Sequence, residues 1–388
     1  MKLLIDYSVL CHTCWHMMKS PNYEAKTDIE AEEFARNLAG TLLYYKTRFQ
    51  PEEITLAMDA RGDYWRHAVM EKYYREHCLV SKYIKPFEET NQDINMDSVL
   101  EYSYVLSYDL KQYRIDYIDG PDKWVSKKLT KAEKNEIAAL ELIAVSYEEV
   151  PLAIKEFFPT YKGNRRTASW DYATTREEWY NLCAKISKNL AVTFGAKIID
   201  VPLAEADDIA KVYADINTVQ DMIFLTTDSD WSQMLSDHLF LKLFNPTKRD
   251  WVEITPEEAN WKLAIKLMSG DNSDNIPAIS LKSSAATLGP KAAEKLLLEY
   301  KLDGIYDYLE EHADHDALYR NYELIYLDNI DELVETHITK TIKVSKIPSS
   351  SKSYRLQQYG LDSKELIAIK AEAEEARNED IENQLIAG

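Results

Sequence analysis

Apolar positions along the chain fall into short runs that end on acidic residues, separated by longer stretches with helical spacing. Lys2–Ile5 is an apolar run closed by Asp6, and the segment after it, to about Phe49, carries the three-to-four-residue period of helices. Glu53–Met58 repeats the theme and leads into Asp59, and Ala196–Val201, Met222–Thr227 and Phe240–Phe244 are three more such runs. Strands alternating with helical stretches predict an α/β fold: a mostly parallel sheet flanked by helices on both faces. A hairpin follows, with Asn245–Asp250 as the turn and Trp251–Ile254 as the return strand. Thr255-Pro256-Glu257-Glu258 is a capping box with proline at the first helical position, which predicts a helix from Pro256 to Gly270. The polar, turn-rich stretch Asp271–Lys291 separates it from a second helix starting at Pro290, and helical patterning continues to about Lys346.

One region breaks the alternation. Glu76–Phe158 contains VLEYSYVLSYDLKQYRIDYIDG, with partial two-residue periodicity, and then charged helical sequence. It predicts an inserted subdomain whose tyrosines pack in a sheet, with stacking on unpaired bases as the less favoured use. Ile347–Ser353 has the composition of a linker, and Leu356–Gly388 reads as an acidic helical tail packed on the body, with partner docking as the alternative. The expected division is a core of 1–75 and 159–255, an insertion of 76–158, a helical module of 256–346, and a linker and tail of 347–388.

Composition narrows the classes. With 388 residues, 45% hydrophobic and 11% aromatic, the chain can build substantial cores, while a net charge of −20 argues against indiscriminate binding of nucleic acid. Any phosphate contact has to be local. No run of about 18 apolar residues exists, and Asp6 interrupts the N-terminus where a signal peptide would stay apolar, so a cytoplasmic chain with no membrane partner is expected. Cys11 and Cys14 form a C-x-x-C beside His12 and His16, but no second pair follows; they read as small apolar residues of the first helix.

The candidate chemistry gathers around Ala204–Asp230. Glu205, Asp207 and Asp208 fall in the first turn of a helix, and Asp228 and Asp230 follow a strand. An aspartate after a strand is ordinarily a turn or cap residue. Adding Asp6 and Asp59 puts carboxylates at several element ends of one sheet, where α/β proteins bind ligands, and hard oxygen donors suit Mg²⁺ or Mn²⁺. Asp271 and Asp274, in SGDNSDNIP, supply enough further oxygens for two ions about 4 Å apart, an arrangement that supports in-line phosphodiester chemistry. Cationic residues are densest at Tyr161-Lys162-Gly163-Asn164-Arg165-Arg166, with Arg61, Arg66 and Arg75 upstream. In an acidic chain this local reversal of sign favours contact with phosphates.

Asp6 after the first strand, Asp59 in AMDARGDYWR, the YKGNR string, EADD at 205–208, TTDSD at 226–230 and SGDNSDNIP at 269–277 occur in an order that resembles the 5′-nuclease (flap endonuclease) superfamily, most closely its phage 5′-exonucleases and T-even ribonucleases H. The resemblance implies a PIN-like sheet with a helix-three-turn-helix module and two Mg²⁺ ions, Mn²⁺ substituting. It places Asp6, Asp59, Glu205 and Asp207 on the first ion and Asp208, Asp228, Asp230, Asp271 and Asp274 in the second cluster. Lys162 and Arg165, with Arg66, match the cationic residues at the base of a helical arch, and Tyr161, Arg166, Lys282, Gly289 and Lys291 match DNA-contacting positions. The implied activity is metal-dependent, structure-specific hydrolysis at 5′ flaps, nicks or RNA primers in replication or repair. The implied partners are DNA with a 5′ single strand, RNA–DNA hybrid, and replication proteins docking on the insertion or tail. Two departures stand out: the insertion separates Arg66 from Tyr161, and Thr287 occupies the place of the module's first glycine. A PIN-like ribonuclease without junction preference and a non-catalytic DNA-binding replication scaffold are the alternatives.

Overall fold

The computed structural model describes residues 1–16, 28–77, 79–84, 102–107, 114–118, 124–128, 131–132, 135, 143–149, 160–163, 176–283, 287–346, 361 and 363–387. The chain forms two compact units, Met1–Trp65 with Ala168–Asn260 and Ile330–Gly388, and Arg66–Thr167 with Trp261–Asn329.

The first unit is built on a six-stranded sheet. Its strands are β1 (Lys2–Asp6), β2 (Glu53–Met58), β8 (Lys197–Asp200), β9 (Met222–Leu225), β10 (Leu241–Asn245) and β11 (Asp250–Trp251), in the order β11-β10-β9-β1-β2-β8. All neighbours run parallel except β11, which returns antiparallel from β10. The mostly parallel α/β sheet expected from the alternation is therefore present. In β1, Leu3, Leu4 and Ile5 are all buried, as befits a central strand covered on both faces. Helices α1 (Tyr7–His16), α2 (Asp28–Phe49) and α4 (Arg176–Phe194) pack Leu10, Phe34, Leu38, Leu42, Ile186 and Leu190 against Leu3, Ile5 and Leu56 in one core. Cys11 and Cys14 lie in that core, and Cys183 beside them, all as free thiols. Burial first, then the neighbouring Cys183, pushes the Cys11 thiol well up, so the C-x-x-C serves as apolar packing. The opposite face carries α5 (Ala206–Ile216), whose Ile209, Val212 and Tyr213 are buried, with α9 (Glu332–Val344) packed on it.

The C-terminal helix α10 (Ser363–Ala387) packs along α2, burying Ile369 and Ala373. The body-packed reading of the tail describes it; the linker before it lies outside the described residues.

The second unit contains a five-stranded sheet from the insertion and a helical module. Strands β3 (Leu79–Ile84), β4 (Tyr102–Ser107), β5 (Arg114–Ile118), β6 (Trp124–Lys128) and β7 (Ile143–Val145) pair antiparallel in the order β6-β5-β4-β3-β7. Tyr102, Tyr104 and Tyr117 are strand residues, with Tyr104 paired to Asp116 and Tyr117 to Ser103. The module comprises α6 (Pro256–Ser269), α7 (Pro290–His312) and α8 (His315–Ile325); α6 belongs to this unit from Trp261 onward and α3 (Trp65–His77) from Arg66 onward. The Thr255–Glu258 capping box forms reciprocally: Glu258 N donates to Thr255 Oγ1 at 3.2 Å and Thr255 N to Glu258 Oε2 at 2.9 Å. Ala264, Met268, Ile279, Ala293, Leu297, Ile305 and Leu309 form the module's core.

Candidate active site

Parallel strands end at one edge, and in the first unit that edge collects the acidic residues. Asp6 closes β1 between β2 and β9 and is 6% exposed. Its oxygens accept from Val9 N (3.2 Å) and from Thr226 Oγ1 (3.1 Å), one residue past β9. Asp59, just after β2, accepts from the Ser8 hydroxyl and from Ala206 N at 2.8 Å. That last bond fastens the start of α5 to the end of β2, as does the bond from Ala60 N to the Ala204 carbonyl. Asp207 is oriented by Trp231 Nε1 at 2.6 Å, and Asp228 N-caps the 3₁₀ turn Ser229–Ser236 through Asp230 N at 2.9 Å.

Glu205 and Asp208 also have a structural part. They form a capping box at the start of α5, Glu205 N donating to Asp208 Oδ2 at 2.8 Å, and both are almost wholly buried. Trp65 Nε1 donates to the same Asp208 oxygen at 3.0 Å, so this carboxylate fixes the helix start from within.

The electrostatics of Asp6 follow from its surroundings. Burial, then the charges of Asp59 and, more weakly, Asp228, raise its pKa to about 7, against the lowering effect of its two hydrogen bonds. The donors facing Asp6 and Asp59 are neutral amides and hydroxyls, which orient carboxylates without balancing their charge. An all-oxygen, undercompensated donor set fits a hard divalent cation. Among the described residues, no three Asp, Glu, His or Cys side chains form a group that could hold an ion as they stand.

In the second unit, two motifs far apart in sequence meet. Lys162 N donates to the Asp274 carbonyl at 2.8 Å, Tyr161 OH to Asp274 Oδ2 at 3.3 Å, and Asn275 Nδ2 to the Thr160 carbonyl at 3.0 Å. Lys162 adopts φ 54°, with its ammonium 3.9 Å from Asp274 Oδ2. Burial pushes the Asp271 carboxyl up, but Lys266 at 2.6 Å and the Ser273 hydrogen bonds outweigh it and hold it below its ordinary value.

The other expected cations are placed as follows. Arg66 is 2% exposed and its Nε donates to the Leu324 carbonyl at 3.1 Å. Arg165 and Arg166 lie outside the described residues. Lys282 Nζ lies 3.2 Å from the Glu311 carbonyl and 3.1 Å from His315 Nε2. Gly289 N-caps α7, a Cβ there would meet open space, and Lys291 is exposed in the first turn. Sequence reading overlooked Trp65, Trp231, Lys266, Arg320 and Asn321. The two tryptophans sit within or beside the motifs YWR and DSDW, a usable signal; nothing in the sequence marks Arg320 or Asn321.

No protein-family model matches the chain. Among curated proteins, the ribonuclease H of Enterobacteria phage T4 is 24% identical over 135 residues, which are 33% of this chain and 43% of that protein; the match thus spans less than half of the relative's length. Among solved structures, the bacteriophage T5 D15 protein co-crystallised with metal ions is 14% identical, at a TM-score of 0.47 over 88% of this chain and 98% of that one. The flap endonuclease-1 of Methanococcus jannaschii is 12% identical, at a TM-score of 0.38 over 96% and 93% of the two chains. Through its ordered motifs and its match to a phage ribonuclease H, the chain resembles the 5′-nuclease superfamily.

Proposed function

We propose that this protein is a metal-dependent, structure-specific 5′ nuclease that hydrolyses phosphodiesters near single-strand/duplex junctions. The observation that carries the reading is the carboxylate edge at the ends of β1, β2 and β9 and the start of α5, with Asp6 buried against the charges of Asp59 and Asp228. Asp6, Asp59, Glu205 and Asp207 are the proposed ligands of one Mg²⁺, and Asp208, Asp228 and Asp230 belong to the proposed second cluster, with Asp271 and Asp274 attached to that set by the family resemblance. When bound, such ions supply an activated water and positive charge at the leaving 3′ oxygen. The chain's own residues do the positioning. Asp208 and Trp65 hold the start of α5, Trp231 aims Asp207, and Arg66 anchors α3 to Leu324. Lys162 and Arg165 are proposed to polarise the scissile phosphate and stabilise charge developing on it.

Incubating the purified protein with a 5′-flap duplex and Mg²⁺ tests the reading; absence of cleavage with both Mg²⁺ and Mn²⁺ rejects it. Asp207→Asn separates nuclease from scaffold: a nuclease loses at least about 100-fold in turnover and still binds the flap, whereas a scaffold loses nothing. The match to a phage ribonuclease H favours RNA–DNA hybrid as a second substrate. Equal rates on flap DNA and unpaired RNA would instead identify a ribonuclease without junction preference.

A further inference from the structure

Beside the carboxylate edge, α1 and the β10–β11 hairpin enclose a groove. Its inner end is formed by Val9, whose N–H is bound to Asp6, and by Thr227, which precedes Asp228. Its walls carry His12 and Thr13 from α1 and Thr247 and Arg249 from the hairpin. Among the described residues none of its lining is acidic, in a chain of net charge −20. The hairpin is also rigidly set. Asn245 Oδ1 accepts from Thr247 N at 3.0 Å and from Lys248 N at 2.9 Å, closing the turn, and Arg249 is held at φ 53°. The Arg249 guanidinium stands over the Tyr44 ring at 5.2 Å and lies 3.9 Å from Asp380 of α10.

The Thr227 and Thr247 hydroxyls, the His12 imidazole and the Arg249 guanidinium lie along an open groove with no carboxylate in its lining, the Thr13 hydroxyl being spent on the Val9 carbonyl at 2.9 Å. Phosphodiester oxygens are bound by this mixture, since hydroxyl and arginine groups contact backbone without reading bases. We propose that the groove binds the sugar-phosphate backbone of the strand whose scissile bond lies at the carboxylate edge, with Thr247 and Arg249 as its principal contacts. The inference rests on the nuclease reading for the identity of the strand, but its test is a binding measurement made without catalysis.

Fluorescence anisotropy with a labelled 5′-flap DNA in EDTA, across a salt series, compares wild type with Thr247→Glu, Arg249→Ala and Lys370→Ala, the last on the exposed side of α10. A groove contact predicts about 3- to 10-fold weaker binding for the first two and a salt slope smaller by about one, with Lys370→Ala unchanged. Melting curves show whether Arg249→Ala has loosened α10. Unchanged affinity and slope in Thr247→Glu overturns the groove whatever Arg249→Ala does, because the arginine also contacts α10. Wild type that binds the flap through the groove yet never cleaves it with Mg²⁺ or Mn²⁺ overturns the nuclease reading alone. Wild type that cleaves, with variants that bind normally, overturns the groove alone. Failure of wild type to bind the flap at all overturns both.

Discussion

Asp6 is pulled two ways at once: the strand ends need its carboxylate, and the core it borders disfavours the charge. Its pKa in the folded protein, about 7, lies above its ordinary value of 3.8, so in metal-free protein the folded state binds a proton more tightly than the unfolded chain between those values. The stability tied to that proton is fully present below about pH 4 and is lost as pH rises through 7. Asp6→Asn removes the dependence. In EDTA at pH 8 the variant is expected to be more stable than wild type, on the order of 1–3 kcal/mol, and at pH 4 the two should melt alike. Mg²⁺ should raise the wild-type melting temperature more than the variant's; a variant less stable than wild type at pH 8 would refute the account. Asn321 shows a residue whose importance no pattern announced. Wholly buried on α8, it donates to the Leu267 carbonyl at 2.9 Å and the Pro277 carbonyl at 3.0 Å, while Arg320, stacked on Tyr73, donates to the same Pro277 carbonyl. An asparagine in an amphipathic helix reads as solvated surface, and only the fold places the Leu267 and Pro277 carbonyls above it.

At the scale of elements, strands and caps were legible because local chemistry dictates them. Glu53–Met58 is a strand at its expected bounds, and Thr255 and Glu258 form the capping box their spacing announced. The return strand of the hairpin is shorter than expected, Asp250–Trp251 in place of Trp251–Ile254: beyond these two residues one further bond, from Val252 N to the Leu243 carbonyl at 3.0 Å, continues the pairing with β10. What spacing did not convey was that the 160–163 string docks on the 271–275 loop, a contact between segments more than a hundred residues apart. That loop depends on Gly270, which adopts φ +69° and leaves no room for a side chain: a Cβ would lie 2.2 Å from the Ile276 carbonyl oxygen and 2.5 Å from the carbonyl carbon of Pro277. Both neighbours are backbone and cannot swing aside. Gly270→Ala should therefore cost at least about 2 kcal/mol in denaturant unfolding, from left-handed strain plus displacement of the loop. The proposed roles of Asp274 and Lys162 predict lower cleavage as well, since both are held through the same loop. Full activity in Gly270→Ala would sever that loop from the proposed site.

At the scale of the whole molecule, the last helix closes on one of the first. The tail was legible as an acidic helix, but its address was not, because α10 finds its complement on α2, more than three hundred residues earlier. Two kinds of contact hold it. Ile369 and Ala373 are buried against α2, and the Ile369 side chain lies 3.5 Å from where a Cβ on Gly40 would stand, ordinary packing distance across the seam. Around this seam Arg36 pairs with Glu365 and Glu372, and Asp380 meets Arg48 at 3.1 Å and the Tyr44 hydroxyl. The two kinds differ in weight. Arg36 and Glu372 are 39% and 63% exposed, so solvent screens their attraction, and Glu372→Gln should change stability by no more than about 0.5 kcal/mol. Ile369→Ala removes buried methylenes from a closed seam and should cost about 2–4 kcal/mol. Thermal unfolding of both single variants, at low and at high salt, decides between an apolar and an electrostatic clasp: the Ile369→Ala loss should be insensitive to salt, while any effect of Glu372→Gln should vanish as salt rises. If instead Glu372→Gln proved the costlier change, the acidic charge of α10, rather than its buried side, would be what ties it to α2.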